Sequence, residues 1–446
     1  DGVTTEVCGN CGSSPFPLRG QLLSHRREGF RKYGLDVDWS DAQGFFRRAE
    51  RTPASINRAF LVGHGALRAC VAGFSSRKPS DAELREMSRE LAAAIEAGAF
   101  GLSSGLEYPP GCYADADELA SLCATARAVG GLYTTHMRNE GDSLEASVNE
   151  TLSVARRSGV RVQISHLKTA GQDNWSKVEK LKALLEQAIA DGVDLGCDRY
   201  PYVACSTDLD FLLPQWVYDG GIDAEIARLK DEKVRRDVAQ QVVARFHASD
   251  FWDTVLISSV YGLAHKDFEG KTVAQIAQQS GRSPIEVVFD LVIDERGRVG
   301  IVMFNMSEDN LCQILSWPFV MVGSDSSVRA VEGPLSDGKP HPRSYGTFSR
   351  VLARYWREKR VLGLEQAVWK MTGLPAQRLG LKDRGTLAVG RFADITIFDP
   401  SHVTDNATFE NPHRYSSGIR HVLVNGQLTV EDGRHTGALN GRILRR

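Results

Sequence analysis

Four residues able to bind a metal or move a proton stand at, or just past, the end of a short β-branched run. Cys11 follows the run 3–8, His136 closes 132–136, His166 closes 162–166 and Asp325 closes 320–325. A thiolate, two imidazoles and a carboxylate converging on one rim make a zinc site, because zinc takes a small mixed set of sulfur, nitrogen and oxygen donors. Taken singly, a strand-end histidine is more often a hydrogen-bonded loop residue. Four ligand types at four strand ends argue for the metal.

Polar residues accompany them. Lys168 follows His166 by two, Tyr200 lies in Asp198-Arg199-Tyr200-Pro201-Tyr202, and Arg343 lies in the loop after the last run. A lysine, an arginine and a tyrosine around a metal suit a substrate that carries a carboxylate. The plainer alternative for the two cations is surface charge held in water. His64 ends the run 59–64, where it either hydrogen-bonds in the rim, stabilises a reacting carbonyl or serves the structure. His341 sits in a polar loop expected to lie over the rim. His25, His247, His265, His402, His413, His421 and His435 have no strand-end placement, and no function is assigned to them.

The elements that must position these side chains alternate. The strand-like runs, joined by 100–104 and 194–198, are separated by amphipathic helical stretches. Ser80-x-x-Glu83 is a capping box ahead of Leu84, Met87, Leu91, Ala94 and Ile95 on one face, with Gly98 as the stop. Further helices are predicted over about 144–158, ending at Gly159, and 176–191, ending at Gly192. Strand–helix alternation builds a parallel sheet. Seven strands of one kind predict an α/β fold: a (β/α)8 TIM-type barrel over 1–384 with one strand missing. Such barrels carry their active sites at the C-terminal strand ends.

Two segments break the alternation. Residues 206–318 hold a charged helical stretch (223–246) and strand-like runs at 254–259 and 299–304, which predicts an insertion near the active site. From 385 onward short strands appear at Gly385-Thr386-Leu387, 393–398 and 422–430, with Asn425-Gly426 as a hairpin turn. That predicts a small β-domain over 385–446.

Composition narrows the function. The 446 residues include 54 Lys+Arg and 56 Asp+Glu, a net charge of −2, which gives no support to nucleic-acid or anionic-membrane binding. No apolar run is long enough for a transmembrane helix. Eight cysteines scattered over a large chain predict reduced thiols and a cytoplasmic location rather than a disulfide framework. Cys8-x-x-Cys11 lacks the second pair of a zinc ribbon, and it leads into a loop rather than the helix of a thioredoxin-like motif. The oligomeric state is not legible. The opening Asp1-Gly2-Val3 reads as a strand already under way, which predicts a chain cut from something longer.

Several longer motifs occur in order over nearly the whole chain. They are Gly9-Asn10-Cys11-Gly12, the stretch Gly101 to Gly111 with Tyr108-Pro109-Pro110, Thr135-His136-Met137-Arg138-Asn139-Glu140-Gly141, Gln163-Ile164-Ser165-His166-x-Lys168, Tyr200-Pro201-Tyr202, Gly323-Ser324-Asp325 and His341-Pro342-Arg343-Ser344-Tyr345-Gly346. Together they resemble the D-aminoacylase (N-acyl-D-amino-acid deacylase) family of the amidohydrolase superfamily. The resemblance implies a zinc-dependent barrel flanked by a small β-domain, hydrolysing the amide of N-acyl-D-amino acids. It implies Cys11, His136 and His166 as ligands of one tightly held zinc and Asp325 as the carboxylate that joins the metal site and acts as base. Lys168, Tyr200 and Arg343 fall in the substrate pocket. The family's His-x-His on the first barrel strand, which would serve a second and weaker metal, has no counterpart here. A fragment is the favoured reading of that departure, over a naturally shortened paralogue.

Two other readings compete. A dipeptidase or cyclic-imide hydrolase would bridge its metals with a carboxylated Lys or a Glu on the fourth strand, where this chain has Ser103-Ser104-Gly105. A truncated barrel could also bind a metal or small molecule without turnover. The expected partner is a small anionic substrate, with neutral and acidic D-residues both open.

Overall fold

A computed structural model describes residues 1–446. Seven parallel strands form its centre. They are β1 (Thr5–Cys8), β2 (Asn57–Phe60, continued by Val62–Gly63), β3 (Gly101–Gly105), β4 (Leu132–His136), β5 (Val162–Ile164), β6 (Leu195–Arg199) and, after a long interval, a strand at Val320–Val322. Their order in space is their order in sequence. Cys8 lies beside Phe60, Gly63 beside Ser103, Gly105 beside His136, Thr135 beside Ile164, Ile164 beside Cys197, and Val322 beside Arg199. β1 pairs only with β2, and Val320–Val322 only with β6, so these two strands are the edges of the array.

From β2 to β6 and at Val320–Val322 nearly every strand residue is buried, polar ones included, because helices cover the array. The core of 38 buried residues runs through Leu102, Val162, Ile164 and Val320 to helix residues such as Leu91, Leu122, Leu152 and Leu185. The Asp81–Glu96 helix starts at the expected capping box: Ser80 Oγ accepts from Glu83 N, and the Glu83 carboxylate accepts from Ser80 N. The Leu144–Ser158 helix ends at Gly159 in the left-handed region, φ 66°. The third predicted helix is shorter, Val178–Ala190, because Gln172–Lys177 winds as a 3₁₀ turn first.

The interval before the last barrel strand is a unit with its own core. β7 (Ala204–Asp208), β8 (Val255–Val260) and β9 (Val299–Phe304) form an antiparallel sheet in the order β7-β9-β8. Helices cover it with 23 buried residues, among them Leu212, Ile257, Val288 and Ile301. The predicted 223–246 helix is two, Ile222–Lys230 and Glu232–Arg245, broken at Asp231, whose carboxylate caps the second. With the insertion counted, the last barrel strand Val320–Val322 is β10.

The C-terminal strands β11 (Ile395–Phe398), β12 (Ile419–Val424), β13 (Gln427–Glu431) and β14 (Arg434–His435) form an antiparallel sheet in sequence order. Asn425 and Gly426 turn between β12 and β13 with φ of 51° and 83°, the conformation an Asn-Gly hairpin provides. Gly385-Thr386-Leu387 is not a strand: Gly385 has φ 82° and packs against Ala376 at the end of the barrel. The two chain ends cross over. Thr396 Oγ1 donates to Gly2 O at 2.6 Å, which ties the N-terminus to the β-domain. The last residues return to the barrel, where Leu444 packs with Ala59, Leu61 and Phe100. No helix is long and apolar enough to cross a membrane.

Candidate metal centre

The loop after β1 delivers the thiol. Gly9-Asn10-Cys11-Gly12 lies flat against the ends of β2 and β3. A Cβ on Gly9 would stand 2.5 Å from Leu61 O, and one on Gly12 would stand 2.7 Å from Gly105 N, so both positions need glycine. Asn10 pins the loop by accepting from Thr134 Oγ1 at 3.0 Å. Cys11 between them is held at φ 51°.

His136 is the last residue of β4, as predicted. His166 and Asp325 are not strand ends. β5 stops at Ile164 and β10 at Val322, and both residues lie beyond in left-handed backbone, at φ 39° and 48°. Seven non-glycine residues of the chain have positive φ, and Cys11, His166 and Asp325 are three of them. Such a conformation costs about 1–3 kcal/mol and concentrates at functional sites. Here it turns three side chains back over the mouth of the barrel. His166 is anchored through its backbone N–H, which donates to Asp198 Oδ1 at 2.8 Å.

The predicted convergence is present. Ligating atoms of Cys11, His136 and His166 lie within 4.8 Å of one another. Cys11 Sγ is 3.4 Å from His166 Nε2, and the two imidazoles meet edge to face at 4.5 Å. Asp325 stands at the edge of this trio, its Oδ1 3.9 Å from Cys11 Sγ and its Oδ2 2.8 Å from Arg343 Nη1. β3 contributes no ligand. Ser104 Oγ bonds Tyr133 and Thr135, and Ser103 Oγ donates to the Gly9 carbonyl.

Two carboxylates at the centre had no sequence signal of their own. Glu107 Oε2 accepts from His136 Nε2 at 2.9 Å, and Glu140 Oε1 accepts from His166 Nδ1 at 2.9 Å. Both occur inside the quoted motifs, but a carboxylate in a loop has no periodicity to mark it. Glu140 also binds Lys168 Nζ at 2.5 Å. Lys168 is therefore a buried, paired ammonium rather than a surface charge.

Arg343 is equally buried. Its backbone N–H donates to His341 Nδ1 at 3.0 Å, while His341 Nε2 donates to Ala204 O at 3.0 Å. His341 thus clamps the loop to β7 of the insertion, and burial with Arg343 beside it holds this imidazole neutral. The Tyr200 ring stacks between Arg199 Cζ (4.3 Å) and Arg343 Cζ (4.7 Å), with its buried hydroxyl unpartnered. The insertion reaches the centre at Thr207, whose hydroxyl donates to Tyr108 at 3.0 Å. His64 does not reach it. It is the first residue of a helix and binds Glu118 at 2.8 Å, with Arg68 on the other carboxylate oxygen. That buried cluster is structural, and the carbonyl-stabilising role drops out.

The charges reinforce one another. Burial would raise the Asp325 carboxyl, but Arg343, then His166 and Lys168, outweigh it and hold Asp325 ionised. Burial would likewise raise the Cys11 thiol, but His166 and His136 together outweigh it and bring the thiol below its ordinary value. A half-buried soft sulfur and two buried imidazoles, each with its other ring nitrogen held by a carboxylate, fit a zinc ion.

Parallel strands with covering helices and this Cys-His-His set at their mouths define a metal-dependent hydrolase of the amidohydrolase kind. Residues 38–430 match the Amidohydrolase family, and the chain belongs to that family. It is 38% identical over 447 residues to N-acyl-D-glutamate deacylase of Alcaligenes xylosoxydans xylosoxydans, covering 100% of this chain and 80% of that one. With D-aminoacylase of the same organism the identity is 36% over 451 residues, covering 100% and 81%. The crystal structure of N-acyl-D-glutamate deacylase from Bordetella bronchiseptica, complexed with zinc and a phosphonate mimic of the tetrahedral intermediate, superposes with a TM-score of 0.80 at 34% identity. It covers 99% of this chain and 82% of that one. The resemblance read from the motifs therefore extends over the whole chain.

Proposed function

We propose that the protein hydrolyses the amide bond of N-acyl-D-amino acids, releasing a carboxylate and a free D-amino acid. The observation that carries this is the Cys11–His136–His166 trio with Asp325 beside it, in a chain more than a third identical to two deacylases of such substrates. Cys11, His136 and His166 would hold one zinc ion. When bound, zinc supplies Lewis acidity toward the amide carbonyl and lowers the pKa of water from about 15.7 to about 7.

The chain's own residues do the rest. Asp325, kept ionised by Arg343, accepts the proton of the attacking water and hands it to the departing amine nitrogen. Arg343 presents its remaining N–H groups to the substrate α-carboxylate, since the guanidinium has five donors and Asp325 uses one edge. Lys168 stays fixed against Glu140 and adds positive charge on the same side. Burial raises the Tyr200 phenol, so it stays protonated at neutral pH. Its unpartnered hydroxyl is the free donor for a substrate oxygen.

Stripping the protein with a chelator and assaying N-acetyl-D-methionine tests this reading. Amine release should vanish on stripping and return with about one equivalent of zinc. Full turnover by metal-free protein would refute the metal-dependent reading.

A further inference from the structure

We propose that Glu107 and Glu140 are positioning residues that each lock one imidazole of the metal-binding trio, and that Glu140 also fixes Lys168. The inference rests on Cys11, His136 and His166 being the zinc ligands.

A neutral imidazole has one N–H and one lone pair, and only the lone pair binds a metal. Which nitrogen is free depends on what the other one touches. Glu107, in the loop after β3, sits 2.9 Å from His136 Nε2. A carboxylate only accepts, so this nitrogen carries the proton and Nδ1 keeps the lone pair. Glu140 sits on the opposite kind of nitrogen, 2.9 Å from His166 Nδ1. There Nε2 keeps the lone pair, and Nε2 is the atom that faces Cys11 Sγ at 3.4 Å. On this assignment the two histidines use different ring nitrogens, each with a carboxylate on the other one, and Glu140 Oε2 also stands 3.9 Å from His136 Nε2. Both carboxylates are buried, with side chains 9% exposed, so neither is a solvated surface group passing by.

Glu140 has a second task. Its other oxygen binds Lys168 Nζ at 2.5 Å. Lys168 Nζ also lies 2.8 Å from His166 Nδ1. With Nδ1 donating to Glu140, both of these atoms are donors and no hydrogen bond joins them, so the carboxylate that accepts from each is what holds ammonium and imidazole side by side. A single residue therefore couples metal-ligand geometry to the position of a buried cation, Lys168, which the proposed function places on the substrate's side. Glu107 touches only the histidine.

The two carboxylates consequently separate in experiment. Zinc affinity, measured by competition with a chromophoric chelator, should fall about 10–100-fold in both Glu107→Gln and Glu140→Gln, the range seen when a carboxylate behind a metal-bound histidine is removed. At saturating zinc, KM for N-acetyl-D-methionine should rise several-fold more in Glu140→Gln than in Glu107→Gln. Glu140→Asp, which keeps the charge, should recover part of both losses. Where Glu140→Gln fails to fold, Glu107→Gln carries the zinc arm and Glu140→Asp the KM arm. Wild-type zinc affinity in the folded glutamine variants would overturn the proposal, as would equal KM shifts at the two positions. A parallel Cys11→Ser titration separates the levels. Lost zinc there with unchanged affinity in the glutamine variants refutes only this inference, whereas retained zinc in Cys11→Ser refutes the ligand reading beneath it.

Discussion

Cys11→Ser is expected to lower zinc affinity by two to three orders of magnitude and to abolish turnover at ordinary zinc concentrations. Closed zinc sites bind with about 10–16 kcal/mol. Shared over four ligands, that is roughly 2.5–4 kcal/mol each, and about 1.4 kcal/mol is a factor of ten. The thiolate is also the one anionic ligand of the trio, and a neutral serine hydroxyl does not replace that charge beside a divalent metal. Serine keeps the size and leaves the Gly9–Gly12 loop intact, so the effect should appear in zinc content rather than in the fold. Elemental analysis of the purified variant checks it. A full equivalent of zinc in Cys11→Ser would remove the thiol from the ligand set.

Asp325→Asn is expected to leave the zinc content near that of the wild type while kcat falls about 10²–10⁴-fold, the usual worth of a positioned acid–base group. The trio of Cys11, His136 and His166 is complete without Asp325, which stands 3.9 Å from the sulfur. Asparagine retains the shape and a carbonyl oxygen for Arg343 but cannot carry a proton between water and amine. Zinc content and turnover measured on one preparation distinguish the outcomes. Near-wild-type turnover with zinc bound would remove Asp325 from the proton path. Loss of zinc would make it chiefly a ligand.

Much of this arrangement was legible in the sequence, and the reasons differ from residue to residue. The seven barrel strands are legible because short runs bounded by turn residues alternate with amphipathic helical stretches. His136 could be placed exactly where its strand stops because that strand does run up to it. His166 and Asp325 were recognised by type, yet the backbone that aims them is a left-handed turn beyond the strand, which no periodicity encodes. For Lys168 and Arg343 the sequence favours a place near the metal and leaves solvated surface charge as the lesser alternative. Their pairing with Glu140 and Asp325 depends on contacts that the fold alone creates. Glu107 and Glu140 were invisible for the same reason. β7, the strand that carries His341's anchor Ala204, escaped because its partner β9 lies nearly a hundred residues away. Long-range antiparallel pairing leaves a weak local trace.

Stereochemistry is the sharpest test of the proposed activity, because a metal and a water will hydrolyse either hand of an amide unless the pocket decides. In the proposed function, Arg343 and Asp325, fixed to each other at 2.8 Å, would set the direction from which the α-carboxylate and the scissile carbonyl approach. Initial rates of amine release by the zinc-loaded protein from N-acetyl-D-methionine and N-acetyl-L-methionine, at matched concentrations, measure that decision directly. Rapid hydrolysis of the D-substrate with the L-substrate slower by about two orders of magnitude or more, a difference of roughly 3 kcal/mol, is the predicted result. Equal rates on the two enantiomers, or a preference for the L form, would contradict it.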